Sequence, residues 1–526
     1  MQRNLNFDRR SEDEEVKDAG LTLDFDEIAK KKGMSNEEKN IAKWYGIYNS
    51  RQTGNHMMRV VVPGGVISSS QARKIAEVSD TYGQGIINIT TRQAIQFHWL
   101  KVEGLADVIR ELNKENISTK HGCGDVTRNI AACPFAENCR YAQFNVRSLA
   151  QKTAKYLSDL NELDNLPRKF KITFSGCSAG CAQPFINCVG TIAVRNKDGK
   201  EGFQVVIGGG MGWKPFVAQN LYSFVPKEKI VSLCHAIGLL FRDHGDRFNR
   251  AKARLKFVVH HYGMDKCRSI IEENLQKLNV PTMDFSTDDT IIRKTEVPKR
   301  PLTDPDVDSR NSFASVILLL PKGTLTHQQF GKIAELSEIY GDQKVYTNNK
   351  QNILLQGVEK SRVPTLKKEL AAINIETEGA YEIRDITVCV GTTYCPKAVS
   401  KTQDLHDSLQ KLVRNEKYNN IAKQVLINIT GCPNSCSPYR IADIGFRGMR
   451  IREEMGSVEG YEIVLGGSQT DFGKKLGDFK SSDCPEMVTR LLDYFAAEKK
   501  PQEDFTDYIN RKGIEYFKEK IYGYSI

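Results

Sequence analysis

Apolar residues occur in short runs that end in glycine. Four of these runs, KFKITFSG, FQVVIGG, QVLINITG and YEIVLGG, are rich in β-branched residues and predict strands that stop at turns. Two longer segments, GLADVIRELNKEN and VPTLKKELAAINI, repeat apolar residues at intervals of three and four, which is typical of amphipathic helices. The pattern therefore predicts a mixed α/β protein in which helices pack beside sheets.

The same succession of elements occurs twice along the chain. Segments that begin at Met58 and at Ala314 both predict a strand, a turn, an amphipathic helix, Tyr-Gly and a second strand. Tyr82 in the first copy corresponds to Tyr340 in the second, 258 residues further on. Further blocks, such as FQVVIGGGMG and YEIVLGGSQT, match in the same order at nearly the same offset. These matches indicate an internal duplication of about 250 residues.

Length and composition narrow the class of protein. The 526 residues exceed what one hydrophobic core organises, so we expect several domains. No apolar run reaches the roughly 18 residues of a transmembrane helix, and the acidic N-terminus has no apolar signal segment. We therefore expect a cytoplasmic protein without a membrane partner, beginning with a solvated, poorly ordered segment.

The formal net charge of +10 fits several kinds of partner. A need for solubility would be enough to explain this charge. An anionic substrate, an anionic cofactor or an acidic protein partner would explain it equally well. Basic residues are interspersed with Asp and Glu, and they form no aromatic-rich basic stripe. Nucleic acid is therefore not expected as a partner.

Cysteine spacing carries the clearest chemical signal. Cys389 and Cys395 form a C-x5-C pair, and Cys432 and Cys436 form a C-x3-C pair downstream. This is the spacing of four thiolates gathered around one metal centre. Zinc sites usually contain C-x2-C pairs, so the spacing favours an iron–sulfur cluster and leaves zinc as the alternative.

The first copy repeats both spacings. Cys133 and Cys139 form a C-x5-C pair, and Cys177 and Cys181 form a C-x3-C pair. By symmetry they could hold a second cluster; the alternative is a relic of the duplication, because buried free thiols behave as small apolar residues. The cysteines without a partner pattern are Cys123, Cys234, Cys267 and Cys484.

Four basic residues form a second candidate constellation. Arg92 lies in NITTRQAIQ, Arg128 lies in CGDVTRN, and Lys169 and Lys171 lie in LPRKFKI. Each residue alone would be an ordinary solvated charge. The two lysines alternate along a predicted strand, so their side chains share one face, and a strand that leads into an apolar run should have one face buried.

Together, the motifs TTRQ-x-x-Q, LPRKFK, C-x5-C and TGCPNSC resemble those of the siroheme-dependent sulfite and nitrite reductase family. The resemblance extends from about residue 40 to about residue 500. It implies an α+β fold in which two ferredoxin-like half-domains join into one unit. Two further α/β domains would hold a siroheme beside a [4Fe–4S] cluster.

The resemblance also divides the chain. The expected segments are an N-terminal extension (1–55), ferredoxin-like half-domain 1 (56–120), the first siroheme-binding repeat (121–280), an irregular connector (281–312), ferredoxin-like half-domain 2 (313–380) and the second repeat with the [4Fe–4S] cluster and siroheme (381–526).

It further implies roles for the candidate residues. The second-copy cysteines would hold the cluster, and Cys436 would also bridge to the siroheme iron. The first-copy pocket usually holds no cluster in this family, so we expect one per chain. Arg92 and Arg128 would bind the substrate oxyanion, and Lys169 and Lys171 would bind it and deliver protons. Siroheme carries eight carboxylates, and the further candidate contacts are Arg168, Gln93, Gln96, Gln351, Asn352, Thr430 and Asn434.

Substrate choice depends on one position. Nitrite-type members usually have asparagine where this chain has Lys171, so we expect the six-electron reduction of sulfite to sulfide, with nitrite reduction to ammonia as the alternative. No flavin or NADPH motif occurs, so electrons would come from an acidic ferredoxin or a separate flavoprotein. The sequence also leaves open a non-catalytic iron–sulfur electron carrier and a tetrapyrrole-modifying relative of cobalamin synthesis.

Overall fold

The computed structural model describes residues 15–17, 20, 22–288, 291–293, 297, 299, 308–310, 312–454 and 456–522. The segment predicted to be solvated and poorly ordered at the N-terminus lies mostly outside the described residues. Much of the predicted connector 281–312 also lies outside them, and its described part includes the two-residue strand Ile291–Ile292.

Helices and strands alternate along the described chain, as the sequence predicts. The α-helices are α1 (Phe25–Lys30), α2 (Asn36–Ala42), α3 (Ser69–Tyr82), α4 (Leu105–Lys114), α5 (Arg147–Ser158), α6 (Ile230–His244), α7 (Leu255–Tyr262), α8 (Met264–Lys277), α9 (His327–Tyr340), α10 (Val363–Ala372), α11 (Gly391–Tyr394), α12 (Thr402–Val413), α13 (Cys484–Glu498), α14 (Phe505–Lys512) and α15 (Ile514–Tyr522).

The strands of the first copy and the connector are β1 (Ile47–Asn49), β2 (His56–Val60), β3 (Val66–Ser68), β4 (Ile86–Ile89), β5 (Ile95–Leu100), β6 (Ala131–Ala132), β7 (Ile172–Ser175), β8 (Val189–Asn196), β9 (Glu201–Ile207), β10 (Gln219–Pro226) and β11 (Ile291–Ile292). Those of the second copy are β12 (Phe313–Leu318), β13 (Thr324–Thr326), β14 (Lys344–Thr347), β15 (Ile353–Glu359), β16 (Thr387–Val388), β17 (Ile427–Thr430), β18 (Ile444–Glu453), β19 (Gly456–Leu465) and β20 (Lys474–Lys480).

Two sheets join the copies by exchanging a strand. One sheet has the order β1-β2-β5-β4-β13, and the other has the order β12-β15-β14-β3. Strand β13 of the second copy therefore pairs with β4 of the first, and β3 of the first pairs with β14 of the second. Each exchanged strand covers a sheet edge that would otherwise expose unpaired backbone groups. The two half-domains thus form one unit.

Helices α3 and α9 occupy equivalent places in this unit. Ser68 caps α3 in a reciprocal capping box with Gln71, and Thr326 caps α9 in the same way with Gln329. Their apolar faces pack in one common core. The side chain of Glu338 on α9 accepts hydrogen bonds from Ser69 and Arg73 on α3, so polar contacts also join the copies.

The remaining two sheets also repeat one another. Their orders are β10-β9-β8-β7-β6 and β20-β19-β18-β17-β16, and in both the first three strands in chain order run parallel. All four residues of β7 and of β17 are buried. Their sequences, ITFS and INIT, alternate apolar and polar residues, so both faces of these central strands are buried and each strand carries buried polar side chains as well.

The aromatic segment KWYGIY, residues 43–48, docks on the body of the protein. The Trp44 side chain is only 2% exposed, and its Nε1 donates a hydrogen bond to the Asp164 carbonyl oxygen at 2.7 Å. Strand β1 follows directly and pairs with β2 at the edge of the first sheet. Among the described residues, no helix is long and apolar enough to cross a membrane.

Candidate functional site

A cavity of about 320 Å³ brings the two candidate constellations together. Residues from both half-domains and from both further α/β domains line it. The predicted functional residues in its wall are Arg92, Arg128, Lys169, Lys171, Cys389, Cys395, Cys432 and Cys436. Sequence segments up to 344 residues apart thus meet at one site, which the duplication alone does not predict.

The paired lysines enter the cavity from an extended segment that precedes β7. Lys169 and Lys171 both line the cavity, whereas Phe170 between them is fully buried in the core of the first α/β domain. Backbone bonds fix this alternation, because Phe170 N–H donates to the Val126 carbonyl oxygen and Arg128 N–H donates to the Phe170 carbonyl oxygen. The prediction that both lysines share one face is confirmed.

Each arginine is held by backbone carbonyls. Arg92 lies in the tight turn between β4 and β5, and its Nη2 donates to the Asn129 carbonyl oxygen at 2.6 Å while its Nη1 donates to Asn187 Oδ1 at 2.8 Å. Arg128 Nη2 donates to the Gly122 carbonyl oxygen at 2.5 Å. The buried Nε of each arginine has no hydrogen-bond partner in the described structure. Both guanidinium groups line the cavity, so their positive charge is available to an anion there.

The four cations oppose one another's charge. Burial, together with the charge of Arg254, lowers the pKa of Lys169 to about 7. Burial and the charges of Arg92 and Lys169 lower the pKa of Lys171 well below its ordinary value. Burial and the charge of Arg128 lower the pKa of Arg92 to about 9. An anion in the cavity would relieve this repulsion, so the arrangement suits an oxyanion or a polycarboxylate.

The second-copy cysteines lie on loops that present N–H groups to sulfur. Gly431 N–H donates to Cys389 Sγ at 3.1 Å, and Asn434 Nδ2 donates to Cys432 Sγ at 3.5 Å. Burial raises the pKa of Cys389 to about 12 and also raises the pKa values of Cys395 and Cys432. Donors of this kind stabilise a thiolate and tune the potential of a cluster that it binds.

The donor set fits a cluster. Within the described residues, no three His, Cys, Asp or Glu side chains lie close enough to share one metal ion. Zinc would require such a group, because it binds its thiolates at about 2.3 Å. A cubane cluster does not require one, because each of its four thiolates binds a different iron. Four soft sulfur ligands around the mouth of a cavity therefore fit the iron–sulfur assignment.

The predicted siroheme contacts divide into two groups. Arg168, Gln96, Gln351 and Asn434 line the cavity. The other three predicted contacts, Gln93, Asn352 and Thr430, are buried and lie outside the cavity wall.

The side-chain amides of Gln93 and Asn352 form hydrogen bonds with other segments of the fold. Gln93 Nε2 donates to the carbonyl oxygens of Ala132 and Thr347, and its Oε1 accepts from Ala132 N–H. Asn352 Nδ2 donates to Asp385 Oδ1, and its Oδ1 accepts from Leu320 N–H. In the structure, both amides connect segments of the fold.

Sequence reasoning missed several polar and aromatic residues of the cavity wall. Arg59 lies within the apolar strand β2, and its Nη1 donates to the Gly122 carbonyl oxygen at 2.8 Å. A charge inside an otherwise apolar strand was the signal that could have found it. Tyr394, next to Cys395, stacks on His98 with ring centroids 3.9 Å apart. The further cavity residues not predicted include Asn88, Asn129, Asp125 and Lys397.

A larger cavity of about 830 Å³ adjoins the first, and Asp125 and Arg168 line both. Asp125 is buried between three cations: Arg250 at 2.8 Å, Arg168 at 3.2 Å and Lys17 at 3.6 Å. Burial alone would raise the Asp125 pKa, but the charges of Arg250, Lys17 and Arg168 hold it at about 2. The carboxylate thus anchors cations between the two cavities.

Replacing Asp125 by asparagine should lower the free energy of unfolding by about 2 kcal/mol at neutral pH, because it removes the buried carboxylate that faces three cations. Because the folded pKa is depressed, the difference from wild type should persist above pH 4 and diminish as the pH falls towards 2. Denaturant titration measures both effects. Asp26→Asn is the control, since Asp26 and Arg110 form an exposed pair. Equal stability of the two variants would contradict the anchoring role.

Comparison with known families identifies the chain. The model described as the nitrite and sulphite reductase 4Fe-4S domain matches residues 123–278 and 379–525. The model described as the nitrite/sulfite reductase ferredoxin-like half domain matches residues 48–115 and 308–373. Each model matches twice, once in each copy.

Curated relatives match along nearly the whole chain. A sulfite reductase [ferredoxin] of Mycobacterium tuberculosis (strain ATCC 25618 / H37Rv) is 27% identical over 95% of this chain and 94% of its own. An assimilatory ferredoxin-dependent nitrite reductase of Haloferax mediterranei is 29% identical over 90% and 85%, respectively. A ferredoxin–nitrite reductase of Leptolyngbya laminosa is 30% identical over 87% and 90%.

The fold agrees with these matches. The solved structure of the Mycobacterium tuberculosis NirA protein superposes with a TM-score of 0.85, is 25% identical and covers 96% of each chain. The predicted fold class, with its repeated ferredoxin-like half-domains, is confirmed. Because the 4Fe-4S domain model alone matches more than half of the residues, the chain belongs to the nitrite and sulfite reductase family.

Proposed function

We propose that this protein catalyses the six-electron reduction of sulfite to sulfide. The observation that carries the proposal is the position of Lys171, which lines the same cavity as six other basic residues and the four second-copy cysteines. Sulfite is a small dianion, and a concentration of positive charge beside thiolate ligands binds such an anion next to a source of electrons.

Two cofactors complete the proposed site. Cys389, Cys395, Cys432 and Cys436 would hold a [4Fe–4S] cluster, as the description of the matching family model suggests. Cys436 is the exposed member of this set and would also bridge to a siroheme. When bound, the coupled pair supplies electrons and a Lewis-acidic iron. Arg168, Gln96, Gln351 and Asn434 would contact the macrocycle from the cavity wall.

The four basic residues would have two different roles in the reaction. Arg92 and Arg128 line the cavity, are held by backbone carbonyls and would bind the oxyanion. Three oxygens must leave sulfite as water, so protons must reach them during the reaction. Lysines with lowered pKa values give up protons readily. Lys169 and Lys171 would therefore hold the anion and donate protons to its oxygens.

Electrons would enter through an acidic ferredoxin. The net charge of +10 attracts such a partner, and Arg51 and Lys397 are exposed near the cluster loop. Arg51 N–H donates to the Tyr394 carbonyl oxygen at 2.8 Å, which ties this basic segment to the loop that carries Cys395. Complementary charge speeds such encounters. A separate flavoprotein is the alternative donor, and we place the reaction in the cytoplasm.

Reduction of nitrite to ammonia is the second candidate function. Two relatives named as nitrite reductases are 29% and 30% identical to this chain, as close as the sulfite reductases. The same cofactors and the same number of electrons would serve both reactions.

Turnover with sulfite and with nitrite under one artificial reductant tests the proposal. We expect a higher kcat/KM for sulfite than for nitrite, because the cavity places four cations around a dianion. A higher value for nitrite would make the second candidate the function of this chain. Purified protein with a cluster but with neither siroheme absorption nor turnover would support an electron carrier instead.

A further inference from the structure

The two cysteine loops of the first copy repeat those of the second copy bond for bond. Both pairs follow the ends of parallel neighbouring strands, β6 and β7 in one copy and β16 and β17 in the other. Cys133 N–H donates to the Phe174 carbonyl oxygen at 2.9 Å, and Cys389 N–H donates to the Ile429 carbonyl oxygen at 3.1 Å. The same strand register thus places the first cysteine in both copies.

The match extends to the sulfur atom itself. Gly176 N–H donates to Cys133 Sγ at 3.3 Å, and Gly431 N–H donates to Cys389 Sγ at 3.1 Å. A glycine N–H aimed at a thiol sulfur in both copies is the donor arrangement that stabilises a thiolate.

Backbone bonds at the other cysteines repeat as well. Cys139 N–H bonds to the carbonyl oxygen four residues before it, as Cys395 N–H does, and each cysteine's carbonyl oxygen accepts from an alanine three residues later. Cys177 and Cys432 each accept a bond at 3.2 Å from the residue three positions on. The backbone therefore holds Cys133, Cys139 and Cys177 as it holds their counterparts in the second copy.

The four first-copy thiols are close together in the structure. Cys181 packs against the core that includes Cys133 and, together with Cys139, against a second small apolar cluster. Cys181 also lies within electrostatic reach of Cys139 and Cys177. If these cysteines were only a relic of the duplication, other small apolar residues could have replaced them, because such residues fill a core equally well. The four thiols have nevertheless stayed together.

A buried cation faces this set. Arg147, which is 1% exposed, donates hydrogen bonds to the carbonyl oxygens of Cys133, Pro134 and Gly64. In the second copy, Thr402 Oγ1 donates to the carbonyl oxygen of Cys389 at 2.6 Å from the equivalent place. A guanidinium therefore replaces a neutral hydroxyl beside the first-copy thiols. Its charge offsets the negative charge of a metal–thiolate centre.

Apolar side chains enclose part of this set. Cys139 and Cys181 pack against Phe135, Tyr346 and Leu354, which are buried, whereas Cys436 opens onto the substrate cavity. Any centre here would therefore be enclosed by protein and serve electron storage or transfer rather than substrate chemistry.

We propose that Cys133, Cys139, Cys177 and Cys181 bind a second [4Fe–4S] cluster. The proposal departs from the family resemblance, which implies one cluster per chain, and it rests on the assignment of the second-copy cysteines as cluster ligands. On binding, four thiol protons leave as four Fe–S bonds form, and cluster assembly supplies the iron and sulfide. The cluster would then accept and return one electron at a time.

Iron and acid-labile sulfide per chain, measured on anaerobically purified holoenzyme, test the proposal. Two clusters and one siroheme require about nine irons, whereas one cluster and one siroheme require about five. About five irons with normal siroheme absorption and sulfite turnover would overturn the second cluster and leave the proposed function intact. Zinc in place of the additional iron would also overturn it.

A variant pair assigns the additional iron to its ligands. Cys181→Ser should lower the iron content from about nine to about five while siroheme absorption remains. Cys484→Ser is the control, because Cys484 donates only to the Lys480 carbonyl oxygen, a bond that serine can also make. Unchanged iron in Cys181→Ser would overturn the proposal. If that variant does not fold, Cys139→Ser, at a position of the same intermediate exposure, replaces it with the same expected loss.

Discussion

Lys171→Asn should lower kcat/KM for sulfite by roughly ten- to a hundredfold, which corresponds to the 1–3 kcal/mol of a charge-assisted hydrogen bond. The value for nitrite should fall less. A lysine a few ångströms from the anion attracts a dianion about twice as strongly as a monoanion. Asparagine keeps a hydrogen-bond donor near the backbone but removes both the charge and the transferable proton. Steady-state kinetics with both substrates at one pH measure the effect.

The control for this variant is Lys152→Asn, an exposed position on α5 outside both cavities. It changes the net charge equally, so it corrects for any general effect of charge on donor binding. Equal losses for sulfite and nitrite in Lys171→Asn would show that Lys171 acts in folding or siroheme binding. The main argument for sulfite over nitrite would then fail, even though the chain would remain a member of the same family.

The spacing of residues along the sequence predicted much of the candidate site. Each C-x5-C pair and each C-x3-C pair lies on the loop that follows a strand. The spacing within a pair therefore reflects the geometry of that single loop. The alternation of Lys169 and Lys171 needs only an extended backbone to place both on one face. Such features depend on nearby residues and on a repeat visible in the sequence, and the structure places them as predicted.

Features that depend on contacts between the two copies could not be predicted from the sequence. Gln93 and Gln351 illustrate this, because both were predicted as siroheme contacts from their position in a motif. In the structure Gln93 Nε2 donates to the carbonyl oxygen of Thr347 in the second copy, and Gln351 Nε2 donates to that of Ile89 in the first. This reciprocal exchange follows from the strand swap of β3 and β13, for which one sequence carries no signal.

The cavity wall shows the same limit. Arg59 on β2 and Asp125 in a loop reach the cavity only because distant segments of the chain fold around them. Both are charged residues next to apolar runs, and many such residues are simply solvated. Residue spacing in a sequence therefore predicts the ligands of a compact metal centre more readily than it predicts the residues that enclose the centre.

Cys436→Ser should remove both cofactors of the proposed catalytic site. One thiolate would serve the cluster and the siroheme, so its loss should lower the iron content by about five, four from the cubane and one from the siroheme. Serine is a harder ligand with a far higher pKa, so it cannot replace the thiolate. Iron analysis, the siroheme absorption band and sulfite turnover should all report the loss, and the first-copy cluster should leave about four irons.

The fold itself should survive this change. The Cys436 side chain is exposed, and the nearest hydrogen bond, from Thr91 Oγ1 at 2.8 Å, goes to its backbone carbonyl oxygen, which serine retains. The thermal midpoint should therefore be compared with that of Cys436→Ala, which shares the loss of the ligand without a hydroxyl. If Cys436→Ser keeps its full iron content and its turnover, then Cys436 does not bridge the cofactors. The electrons must in that case reach the substrate through another of the three cysteines, each of which is less exposed than Cys436.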